Sequence, residues 1–137
     1  MRVALDTNVL VSALIGKGKP TKFVRNVLQK RIELLTSKPI LDEFVEVIAR
    51  PKFLDYVDES EVKDFLQLIV DVSTVVDVRS KFNVIADRSD NSILATAYDG
   101  KADYIVSGDK HLLNLREFRR IKIVTVDQML KILKLES

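Results

Sequence analysis

Four acidic residues stand where an α/β chain could gather carboxylates into one cleft: Asp6, Glu43, Asp90 and Asp109. Asp6 ends the apolar run Val3-Ala4-Leu5 and is followed by Thr7-Asn8 and a second run, Val9-Leu10-Val11. That is the pattern of a buried strand that finishes in a carboxylate and turns into a helix. An Asp there also suits a helix cap, so this residue alone admits both readings. Asp109 closes Tyr104-Ile-Val-Ser-Gly-Asp109 in the same manner. At 3.6 residues per turn, Glu43 lies at the edge of the apolar face of its helix beside Val47, whereas Asp42 and Glu46 lie opposite that face and read as solvated acids. Asp90 shares a helical face with Ile93, Leu94 and Ala97, and capping does not explain the second acid, Asp87, three residues earlier. Carboxylates confined together repel one another, and in low dielectric some stay protonated at neutral pH. A hard divalent cation, Mg²⁺ or Mn²⁺, removes the conflict. A metal-loaded acidic cleft beside basic residues suits phosphodiester hydrolysis, the metal polarising the phosphate, supplying hydroxide and stabilising the leaving oxygen.

The elements that must position these residues follow from periodicity. Strands are expected at 3–5, 32–36, 75–78, 104–109 and 121–126, separated by helices at 9–15, from Pro20-Thr21, at 39–49 with Pro39 in its first turn, from Asp58, at 92–98 after a loop at 82–91 (Asp90 shares its core face if the helix begins near Asp90), and from Asp127, which is expected to cap the last. Gly16 and Gly100 are expected helix stops. Five strands alternating with helices predict a doubly wound parallel sheet with helices on both faces. If the strand order reverses between the first and fourth strands, the cleft at their carboxyl ends is the binding site.

The 137 residues suit one domain, 1–137. There is no cysteine, which excludes disulfides, thiolate chemistry and cysteine-ligated metals, and the lone His111 cannot by itself build a zinc site. No segment approaches a membrane span and no cleavage signal follows the first residues, so a cytoplasmic protein is expected. The net charge of +2 conceals an asymmetry: residues 1–40 carry +6, 41–64 carry −5 and the remainder +1. Lys17, Lys19, Lys22 and Arg25 cluster near the turn after Asp6 and are candidate RNA phosphate contacts, although solvated lysine faces are common.

Taken together, Leu-Asp6-Thr-Asn-Val-Leu, Glu43 in its helix, Asp87-Arg-Ser-Asp90-Asn and Val-Ser107-Gly-Asp109-Lys resemble the PIN domain, in particular the small prokaryotic kind that includes VapC-type toxins. The resemblance runs from residue 1 to about residue 130. It implies a sheet in the order 3-2-1-4-5, Mg²⁺- or Mn²⁺-dependent ribonuclease activity, homodimers, and a cognate antitoxin that blocks the site. Carried across residue by residue, it implies Asp6, Glu43, Asp90 and Asp109 as the catalytic and metal-binding acids, Asn8 and Ser107 as polar supports, and Asp87 as an accessory acid. Which of Asp87 and Asp90 stands nearer the metal is left open by spacing.

Other chemistries fit less well. A phosphohydrolase using Asp6 as nucleophile needs an acid at position 8, where Asn stands. A serine hydrolase needs a Gly-x-Ser-x-Gly elbow, and dinucleotide binding needs Gly-x-Gly-x-x-Gly after a strand; neither is present. The alternative of another kind is a module of the same fold that grips RNA or protein without cutting.

Overall fold

The structure is a computed structural model that describes residues 1–16 and 32–136. Its central sheet contains β1 (Arg2–Leu5), β2 (Glu33–Ser37), β3 (Ser73–Val76), β4 (Tyr104–Val106), β5 (Glu117–Phe118) and β6 (Ile121–Val124) in the order β3-β2-β1-β4-β6-β5. All neighbours pair in parallel except β5 with β6. The order therefore reverses between β1 and β4, as a cleft at their carboxyl ends requires. The expected order 3-2-1-4-5 holds for the five parallel strands, and one short antiparallel strand is added at the edge beyond them. β1 lies at the centre of the core, with Val3, Ala4 and Leu5 sealed between layers.

The helices are α1 (Thr7–Ile15), α2 (Lys38–Ile48), α3 (Glu59–Val72), α4 (Arg88–Asp99), α5 (Lys110–Leu115) and α6 (Val126–Glu136). α2 follows its periodicity: Ile40, Phe44, Val47 and Ile48 are buried, while Asp42 and Glu46 are exposed. Phe44 packs on Phe65 of α3, ring centroids 5.6 Å apart. α3 opens with a reciprocal capping box between Asp58 and Glu61. α4 covers β1 and β2, where the buried Ser37 and Thr96 hydroxyls share a 2.8 Å hydrogen bond.

Several boundaries differ from the sequence reading. β3 begins at Ser73 instead of Val75, because α3 runs into it without a loop and Leu34 already pairs with Ser73. β4 ends at Val106, since Ser107 to Asp109 turn away to start α5. The last helix is capped by Thr125, not by Asp127: the Gln128 N–H donates to Thr125 Oγ1 (3.1 Å) and the Thr125 N–H donates to Gln128 Oε1 (2.9 Å). β5 has no counterpart in the sequence pattern because Arg119-Arg120 carries no turn signature, yet both residues adopt positive φ, 48° and 71°, as a two-residue hairpin of this hand demands. Arg119 is held there over the rings of Phe82, Tyr98 and Phe118.

α4 does end near Gly100, for a different reason than expected. The left-handed residue is Lys101 (φ 56°), and Ala102 and Lys101 donate to the carbonyls of Ala97 and Tyr98 in a Schellman arrangement. Gly100 is required by close approach, because a Cβ there would lie 2.8 Å from Val76 and 2.9 Å from Leu35. The helix expected from Pro20 and the cations Lys17, Lys19, Lys22 and Arg25 lie outside the described residues.

Candidate active site

The carboxyl ends of β1 and β4 bring their terminal acids side by side. Asp6 is one residue beyond β1, yet its N–H still donates to the Val106 carbonyl at 3.0 Å, extending the ladder to the edge of the cleft. Ser107, one residue beyond β4, donates its own N–H to the Val124 carbonyl. These bonds fix the two side chains against each other. Ser107 Oγ donates to Asp6 Oδ2 at 2.7 Å and accepts the Asp109 N–H at 3.0 Å. The other Asp6 oxygen, Oδ1, accepts the Thr7 N–H at 2.8 Å. Asp6 is thus both cap of α1 and member of the cleft, so the two readings of its sequence position are not exclusive.

The chain of contacts continues to α2. The buried Thr7 donates its hydroxyl to Glu43 Oε2 at 2.9 Å, which aims a half-buried side chain at the end of β1. Asp109 starts α5, its Oδ1 accepting the N–H groups of His111 (2.8 Å) and Leu112 (3.3 Å). Hydrogen bonds therefore link Glu43, Thr7, Asp6, Ser107 and Asp109 in sequence across three separate segments of the chain.

Asp90 stands apart from this chain. It is 6% exposed, in the first turn of α4, and its Oδ2 is buried without a hydrogen-bond partner. Burial, followed by the negative charges of Asp109, Asp87 and Asp6, pushes its carboxyl up to about 6, against a small opposing effect of His111. Asp6 is likewise pushed up to about 6, mainly by burial; its Ser107 and Thr7 hydrogen bonds pull the other way, and Glu43 and Asp109 add to the rise. These mutual effects bring Asp6, Glu43, Asp90 and Asp109 into one electrostatic neighbourhood.

The remaining residues fall as follows. Asp87 is exposed at the rim, close enough for its charge to act on Asp90. Asn8, expected as a polar support, is exposed on α1 with no hydrogen bond to any of the four acids; helix geometry turns it outward and gives the inward position to Thr7. His111 is exposed, as a surface histidine should be. Two supports were not anticipated. Thr7 lay between two residues already singled out, and Asn91, beside Asp90, binds the loop before α4 through Val84, Ile85 and Asp87. Polar type and adjacency were the available signals for both.

Because Ser107 serves both acids, Ser107→Ala leaves Asp6 Oδ2 and the Asp109 N–H without this partner. The expected cost is about 1–3 kcal/mol in urea unfolding, with a further rise in the Asp6 pKa visible by NMR titration. An unchanged Asp6 titration would remove Ser107 from the site.

Among the described residues, no group of three or more His, Asp or Glu side chains is drawn close enough to hold a metal ion directly. The donor set nonetheless fits a hard cation. It is all oxygen, two of its carboxyls resist ionisation, and Asp90 has a buried oxygen lacking a partner.

Residues 2–111 match the family model of the PIN domain. The chain belongs to the PIN-domain family. Members of that family are generally nucleases. This PIN domain is 35% identical over 119 residues to the uncharacterized protein MJ1680 of Methanocaldococcus jannaschii, a match covering 85% of this chain and 76% of that protein. Its fold is similar to that of a chain in the crystal structure of VapBC2 from Rickettsia felis bound to a DNA fragment from their promoter, with a TM-score of 0.64 and 16% identity over 91% of this chain and 98% of that one. At that identity the likeness is one of fold. No helix among the described residues is long and apolar enough to cross a membrane.

Proposed function

We propose that this PIN domain is a Mg²⁺- or Mn²⁺-dependent endoribonuclease, the toxin component of a toxin–antitoxin pair, acting in the cytoplasm as a homodimer and blocked by a cognate antitoxin. The observation that carries the nuclease reading is that Asp6 and Asp90 lie in one electrostatic neighbourhood at the carboxyl edge of the sheet, each with its carboxyl pushed up to about 6. Family membership supports the reaction class, and likeness of fold to a chain of the VapBC2 structure supports the toxin–antitoxin context.

Asp6, Glu43, Asp90 and Asp109 would hold the ion, which supplies phosphate polarisation, hydroxide and stabilisation of the leaving oxygen. Open spacing of the acids suits Mg²⁺, which retains several of its waters. The protein's share is orientation. Ser107 and the Thr7 N–H engage both oxygens of Asp6, and the Thr7 hydroxyl aims Glu43. Asp87 adds negative charge at the rim. Lys17, Lys19, Lys22 and Arg25 are proposed phosphate contacts on the basic amino-terminal third.

Calorimetric titration of Mn²⁺ into the wild type and Asp6→Asn, with circular dichroism to verify folding, tests the site without choosing a substrate. Binding by the wild type, weakened at least about tenfold in Asp6→Asn, is the expected result. The wide spacing of the acids also fits a module that grips RNA without cutting it. Lack of binding by the wild type, even with a non-cleavable oligonucleotide present, would favour that module over the nuclease.

A further inference from the structure

Between α4 and the loop that precedes it lies a cavity of about 450 Å³, large enough for a base and its sugar, with Asn91, Ser92 and Ala95 on the helix side and Lys81, Phe82 and Asn83 on the loop side. Its lining residues Asn91 and Ser92 directly follow Asp90 in the first turn of α4, which places the cavity next to that acid along the helix.

The loop that forms its outer wall is clamped at both ends. At one end Asp99 accepts the N–H groups of Arg79 (2.7 Å) and Ser80 (2.8 Å) and the Ser80 hydroxyl. At the other, Asn91 Oδ1 accepts the N–H groups of Val84 (2.9 Å) and Ile85 (3.1 Å), and its Nδ2 donates to the carbonyls of Ile85 and Asp87. Between the clamps Phe82 is fixed by edge contacts with Tyr98 and Phe118. Such a wall is preorganised, which lowers the ordering cost of binding.

Within this fixed wall, the side chains of Lys81 and Asn83 are exposed and form no hydrogen bond or ion pair with any described residue. One is a point cation suited to phosphate; the other is a carboxamide that can both donate and accept, as an unpaired base edge requires. Apolar atoms of Pro39, Ala86 and Ala95 supply surface for the face of a base.

We propose that this cavity is a nucleotide subsite for single-stranded RNA, in which Asn83 reads the base beside the scissile phosphate and Lys81 holds the adjoining phosphate. The subsite rests on the nuclease reading for its place beside the cut, but its base preference can be measured without cleavage. The probes are fluorescent RNA hexamers of adenosine, cytidine and uridine, titrated by anisotropy with Mn²⁺ present into Asp6→Asn protein, so that nothing is cut. One hexamer is expected to bind more tightly. Adding Asn83→Ala should weaken that hexamer about tenfold and level the preference, while Lys81→Ala should weaken all three similarly and reduce the salt slope by about one. Absence of binding, equal binding of the three, or a preference that survives Asn83→Ala overturns the subsite. Failure of wild-type protein with Lys81 and Asn83 intact to cut any RNA that it binds would instead overturn the nuclease reading and leave the measured base preference standing.

Discussion

Asp6→Asn is expected to reduce RNA cleavage on the order of 10³-fold or more while the protein remains folded. The substitution keeps the shape of a side chain that caps α1 through Thr7 and accepts from Ser107, so the local hydrogen-bond frame has little reason to collapse. What it removes is a negative charge at the centre of the acidic group. Loss of rate should therefore accompany loss of Mn²⁺ affinity, whereas circular dichroism and the urea midpoint at pH 7 should show a fold at least as stable as the wild type. An Asp6→Asn protein that cuts as fast as the wild type would place the reaction elsewhere. Melting of the protein would leave the question to Asp90→Asn, whose Oδ2 has no hydrogen bond to lose.

Metal-free Asp90→Asn should be more stable than the wild type at neutral pH, by about 1–3 kcal/mol, and this gain should vanish near pH 4. The sign follows from the raised carboxyls. An Asp in the unfolded chain titrates near 4, whereas Asp6 and Asp90 in the fold titrate at about 6. Between these values the folded protein still holds protons that the unfolded chain has released. Stability therefore falls as pH rises from about 4 to about 6, and the full cost is present above 6. Holding a carboxyl one pH unit above its unfolded-chain value costs about 1.4 kcal/mol once it is ionised. Burial is the largest cause in both groups. Urea unfolding at pH 4 and pH 7.5 without divalent ions measures the effect. The same increment at both pH values, or none at pH 7.5, would show that Asp90 carries no ionisation penalty. Added Mn²⁺ should stabilise the wild type more than the variant, because binding to the native state alone raises stability by mass action.

Much of the fold could be read from local pattern. Val3-Ala4-Leu5 and Tyr104-Ile-Val announced strands buried on both faces, and the alternation of strands with apolar helical faces led to the doubly wound sheet. The spacing of Ile40, Phe44, Val47 and Ile48 separated Glu43 from Asp42 and Glu46, and the structure keeps that separation. The misjudged features depend on partners distant in sequence. Ser73 is in a strand because Leu34 lies beside it, and Arg119 tolerates a left-handed backbone while three aromatic rings from separate elements lie beneath its guanidinium. Lys101, not Gly100, takes the left-handed turn after α4, since Gly100 is needed where the helix end meets Leu35 and Val76.

The same division runs through the acidic cleft. Local pattern was enough to say which carboxylates could meet, because strand ends and helix faces are set by apolar periodicity over a few residues. It was also enough for the family, through four acidic motifs in order. How those acids are supported was settled only by the packing of elements: Thr7 in place of Asn8 toward Glu43, Ser107 between Asp6 and Asp109, and Asp90 buried with an oxygen left over. The Thr7–Glu43 and Ser107–Asp6 hydrogen bonds join residues 36 and 101 positions apart, and the desolvation of Asp90 comes from the packing of separate elements, so no local window contains them.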